Sequence, residues 1–90
     1  MKNMVLKIDL QKTREFGKPN IASLREDISI RLEDALLRAN GGRWIDDLQT
    51  SEGMMIFFEV KDYGEGLRII ESTFRNHRFY PLIKVARRAS

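Results

Sequence analysis

The chain has no cysteine, one histidine, two prolines and one tryptophan in 90 residues. Without cysteine there is no disulfide framework, thiol nucleophile, cysteine zinc site or iron–sulfur centre, so packing alone must hold the fold. The sole histidine, His77, excludes two- and three-histidine metal sites, and no metal or cofactor is expected. No apolar run approaches the roughly 20 residues of a spanning helix. Met1-Lys2-Asn3-Met4 leads into an alternating segment rather than a signal-peptide core. The expectation is a cytoplasmic protein with no membrane partner. Such a length bounds the chain to one small domain, residues 1–90 with a short flexible tail at 87–90. A domain of this size buries roughly 60 to 65% of its unfolded surface, which leaves little room for function-bearing insertions.

The formal charge of +3 comes from 16 Lys and Arg against 13 Asp and Glu, mild for a nucleic-acid binder. Its distribution says more than its size. Residues 1–61 carry ten basic and ten acidic side chains, whereas 62–90 carry six basic and three acidic ones. Ten of the basic residues are arginine, suited to bidentate contacts with carboxylate or phosphate.

Met4, Leu6, Ile8 and Leu10 alternate with Val5, Lys7 and Asp9, which predicts a first strand with one buried face. Gln11 to Asn20, with Gly17 and Pro19, reads as a mobile connection. Ser23 with Glu26 fits a capping box, and Asn20 is an alternative cap. Leu24, Ile28, Leu32, Ala35, Leu36 and Ala39 then mark an amphipathic helix, ended by Asn40-Gly41-Gly42 with glycine in the left-handed cap. Trp44 to Leu48 reads as a strand of ambiguous facing, and Met54 to Val60 as a central strand joined to it by a turn at Gln49 to Gly53. Asp62 and Glu65 repeat the capping logic before a helix over 63–76 with Tyr63, Leu67, Ile70 and Phe74 on its buried stripe. Pro81 to Ala86 completes the pattern as an edge strand. The order βαββαβ predicts an α+β, ferredoxin-like fold, a four-stranded antiparallel sheet with two helices on one face.

Catalytic motifs are scarce. Asp46-Asp47 would point to opposite faces of a strand and lacks calcium-loop spacing. Gly64-Glu65-Gly66 opens a helix without the third glycine or the lysine of a phosphate loop. His77 lies at a helix end among Arg75, Asn76 and Arg78, a position suited to the helix carbonyls rather than to activating a nucleophile. No catalytic residue is assigned, and an enzyme is not the favoured reading. The RNA-recognition fold shares this element order, but Glu52 to Glu59 lacks its leading basic residue and correctly spaced aromatics. Nucleic acid is therefore disfavoured. Arg75, His77, Arg78, Lys84 and Arg87 form a candidate anion-binding set, and Arg75, Arg78, Lys84, Arg87 and Arg88 could touch phosphates without sequence readout.

If Met4, Leu6, Ile8, Met54, Ile56, Phe58, Val60, Ile83 and Val85 face the helices, the uncovered face of the sheet is half apolar. Val5, Met55, Phe57 and Leu82, with Trp44 or Ile45, would form a charge-rimmed patch of the kind that binds a protein. Gly42-Arg43-Trp44, Phe57-Phe58-Glu59-Val60-Lys61-Asp62 and Ile83-Lys84-Val85-Ala86-Arg87-Arg88 together resemble small stand-alone ferredoxin-like bacterial proteins over about residues 42–88. Some of these serve as immunity partners of secreted toxins. The resemblance implies a protein-binding role and transfers no functional residue. The expected function is a non-catalytic module that binds another protein, or a second copy of itself, through the open sheet face. A small-molecule site for anions is the alternative.

Overall fold

The computed structural model describes residues 1–13, 21–50 and 53–88. Four strands, β1 (Lys2–Asp9), β2 (Gly42–Gln49), β3 (Gly53–Val60) and β4 (Ile83–Arg87), form an antiparallel sheet in the order β2-β3-β1-β4. The helices are a short α1 (Leu10–Thr13), then α2 (Ile21–Arg38) and α3 (Tyr63–Phe74). The expected α+β class and four-stranded antiparallel sheet are thus present.

The period-two patterns read from β1 and β3 produce the core. Met4, Leu6 and Ile8 of β1 and Met54, Ile56, Phe58 and Val60 of β3 join Leu24, Ile28, Leu32 and Leu36 of α2 and Ile69, Ile70 and Phe74 of α3 in one buried cluster. The four α2 residues recur every fourth position, so they lie on one stripe of the helix. On α3 the stripe differs from expectation. Leu67 is exposed, and Gly66 is buried in its place. A Cβ at Gly66 would stand 2.9 Å from a Val60 methyl and 3.0 Å from the Met4 sulfur, so the missing side chain lets α3 approach the sheet closely.

The helix ends also separate what local sequence can specify from what packing decides. Asp62 caps α3 as expected, its Oδ2 accepting the Glu65 N–H at 3.0 Å. Helix α2 begins at Ile21, so Ser23 sits inside its first turn rather than at the cap, and Asn20 lies outside the described residues. At the other end Asn40, not a glycine, takes the left-handed conformation with φ 49°. The Gly41 N–H then reaches Leu36 O at 3.0 Å and the Asn40 N–H reaches Leu37 O at 3.1 Å, the paired bonds of a Schellman cap. Gly42 is required for a different reason: a Cβ there would overlap the Glu59 carbonyl oxygen across the β2–β3 pair.

Three other expectations change. Leu10 leaves β1 to start α1, and of the connection expected over 11–20, residues 14–20 lie outside the described residues. Pro81 lies in a 3-10 turn, Tyr80–Leu82, so β4 starts only at Ile83. Arg87, expected in a flexible tail, ends β4, and the Arg88 N–H donates to Asn3 O at 2.8 Å.

Candidate functional site

Register and alternation fix which side chains share the side of the sheet away from the core cluster. In the strand order β2-β3-β1-β4 three rows cross it: Leu48, Met55, Lys7 and Lys84; then Asp46, Phe57, Val5 and Ala86; then Arg43, Glu59 and Asn3, with Arg88 beyond. Leu48, Met55, Phe57, Val5 and Ala86 form a continuous apolar band over all four strands. Its depth varies: Val5 is only 4% exposed under its neighbours, Met55 and Phe57 are half-buried, and Leu48 is 47% exposed.

Of the five residues expected to form the partner-binding patch, the structure brings Val5, Met55 and Phe57 together and takes Trp44 and Leu82 away. Trp44 and Leu82 both pack against the helix-side core. Trp44 does so because it pairs with Phe58, and the irregularity that follows leaves Ile45 unpaired and sets Asp46 opposite Phe57. The bulge reverses the facing of every later β2 residue. Asp47 consequently turns to the helix side, within 3.8 Å of the Arg25 guanidinium on α2, while Leu48 falls opposite Met55. Leu48 is therefore the member of the band that alternation from Trp44 misses; Asp46-Asp47 interrupting an apolar segment was its one sequence signal. Leu82 is displaced by the 3-10 turn around Pro81.

Charges on this side are not equally neutralised. Glu59 pairs with Arg43 at 3.0 Å, Asp9 Oδ1 accepts the Gln11 N–H at 2.9 Å, and Asp46 Oδ1 accepts the Asp47 N–H at 2.8 Å. The Arg88 guanidinium lies over the Phe57 ring at 4.5 Å, a cation–π contact that covers part of the band. Lys7 and Lys84 face each other directly across β1 and β4, and neither meets a carboxylate among the described residues. Beside them is an open depression of about 370 Å³ lined chiefly by Lys7, Asp9, Thr50, Gly53, Met55 and Lys84. The four cations Lys7, Lys84, Arg43 and Arg88 outnumber the three carboxylates Asp9, Asp46 and Glu59 on this side.

In the anion-binding set expected from the last third of the chain, each member except Lys84 has a partner of its own within the fold. Arg75 pairs with Glu71 at 3.0 Å, Arg78 lies over Phe79 at 5.4 Å, and Arg87 lies over Tyr63 at 4.4 Å. His77 is a structural staple. Its Nδ1 accepts the Phe79 N–H at 3.1 Å, leaving Nε2–H to donate to Asp27 Oδ2 of α2 at 3.0 Å. Burial pushes the Asp27 carboxyl up, but hydrogen bonds from Arg31 and His77 and the Arg31 charge outweigh it, so its pKa falls below the ordinary aspartate value. Lys84 alone of the set reaches the open side of the sheet.

No group of three or more His, Cys, Asp or Glu residues among those described could hold a metal ion, and no helix among them is long and apolar enough to cross a membrane. No family model, curated protein or solved structure matches the chain.

Proposed function

We propose that the chain is a non-catalytic recognition module of the ferredoxin-like class whose open sheet side binds an acidic protein partner, in the manner of an immunity-type inhibitor. The fold assignment rests on the strand order: β1 connects through α2 to β2 across the intervening β3, and β3 connects through α3 to β4 across the intervening β1. Such crossovers on an antiparallel sheet suit two helices on one face. The single observation that carries the function is the pairing of an apolar band with unneutralised cations. Leu48, Met55 and Phe57 offer apolar and aromatic contact area, while Lys7, Lys84 and Arg88 have no carboxylate partner among the described residues. A partner presenting apolar side chains ringed by Asp and Glu complements both features.

Phe57→Glu places a charge in the middle of the band without touching the helix-side core. Capture of an acidic partner from the native cell is expected to be lost in Phe57→Glu, kept in Ile30→Glu on the exposed face of α2, and weakened by salt in the parent chain, with circular dichroism unchanged in both variants. Equal capture by Phe57→Glu and the parent would overturn the reading. So would a salt-resistant dimer of the chain dissolved by Phe57→Glu, which would make a second copy the occupant.

A further inference from the structure

The lysine pair at the end of this side is a different kind of feature from the apolar band, because it is unfavourable as it stands. Lys7 and Lys84 are direct cross-strand partners on the same side of adjacent antiparallel strands. In that relation the Cβ atoms are roughly 4.5 to 5.5 Å apart, and like charges destabilise the pair. Among the described residues no carboxylate is within salt-bridge distance of either lysine; Asp9, the next acid along β1 on that side, keeps its charge, and its Oδ1 accepts the Gln11 N–H. Both lysines line the depression of about 370 Å³, a volume within the range of small-ligand sites.

We infer that Lys7 and Lys84 form a binding site for the phosphate group of a small phosphorylated molecule. A phosphate dianion neutralises both charges at once, whereas a carboxylate neutralises one, and lysine engages phosphate as a point charge. The rest of the depression describes the remainder of the ligand. Met55 supplies an apolar wall, and the Asp9 oxygen not bound to Gln11 can accept from a hydroxyl or amino group. The ligand class is therefore a phosphate monoester with hydrogen-bond donors at its other end. The inference does not rest on a protein partner, since the site is complete within one chain.

The test is a titration of the full chain with inorganic phosphate at constant ionic strength, followed by amide NMR shifts and by thermal unfolding, with acetate as the monoanion control. Phosphate is expected to move the Lys7, Asp9 and Lys84 amides saturably and to raise the melting temperature, and acetate to do neither. Lys84→Gln should bind phosphate about tenfold more weakly or worse, as the loss of one charged hydrogen bond implies. It should also melt higher than the parent in phosphate-free buffer, because the like-charge pair is gone. Lys7→Gln should reproduce both effects independently. The assignment is overturned if phosphate gives no saturable shift, if acetate matches it, if the shifts centre on Arg43 and Arg88, or if both glutamine variants respond as the parent does. None of these readouts involves the partner-capture assay, so either reading can fail alone.

Discussion

The two sides of β3 carry alternate residues of one eight-residue strand and differ in how far they are closed. On the helix side Met54, Ile56, Phe58 and Val60 are all completely buried, whereas Met55, Phe57 and Glu59 on the other side remain half-buried. Both sides are largely apolar, so hydrophobicity alone does not distinguish them. What does is closure: the first set is buried with residues of α2 and α3 in one cluster, and over the second, among the described residues, lies the Arg88 guanidinium on Phe57. An apolar side chain sealed in a core contributes to stability through burial and packing, while one left half-open leaves part of its apolar area in water.

Substitution of adjacent phenylalanines should separate the two sides most sharply. Phe58→Ala opens a cavity in the sealed core and is expected to cost about 3 to 5 kcal/mol in urea unfolding, where Phe57→Ala should cost a fraction of that. Next comes the β2–β3 contact that both sides share. Gly42→Ala drives a Cβ into the Glu59 carbonyl and should cost about 2 to 3 kcal/mol, and a neutral result would mean that β2 can shift at that end of the pair.

The Asp27–His77 staple, which joins α2 to the segment after α3, offers a smaller test. Asp27→Asn should lose about 1 kcal/mol at neutral pH by removing the ionised acceptor. Because the folded Asp27 pKa is lowered, its contribution is present above the ordinary aspartate value and disappears as the pH falls through the lowered one. The stability gap between parent and variant should therefore hold from pH 5 to 7 and close below about pH 4, as pH-dependent unfolding can measure. The smallest effect has the opposite sign. Lys84→Glu replaces a like-charge pair on the open side with a complementary one and should stabilise the chain by about 0.5 kcal/mol at low salt.

Regular, central strands are legible in the sequence, and contacts made across the fold are not. Alternation in β1 and β3 identified the core residues because both strands are regular and central, so the period of two survives into the fold. Asp62 was readable because a cap is a contact between residues three apart. Trp44 and Leu48 were not, since the bulge that parts them sits where β2 meets β3 and depends on pairing across the strands. Leu82 moved because Pro81, with its fixed φ and missing donor, opens a 3-10 turn in place of a strand. In sequence the basic residues of the last third suggest a stripe. Arg87 is instead drawn to Tyr63 and Arg88 to Phe57, and His77 to Asp27, fifty residues away. Such partners exist only once the chain is folded. The Lys7–Lys84 pair was hidden for the same reason, as its two members are brought together by the β1–β4 register alone.

The most direct test of the division between a sealed structural side and an open recognising side is acidic-partner capture by Phe57→Glu, made on protein whose unfolding midpoint is measured in the same preparation. The account predicts a folded variant that no longer captures the partner. A folded variant with undiminished capture, or one that unfolds as Phe58→Ala does, would contradict it.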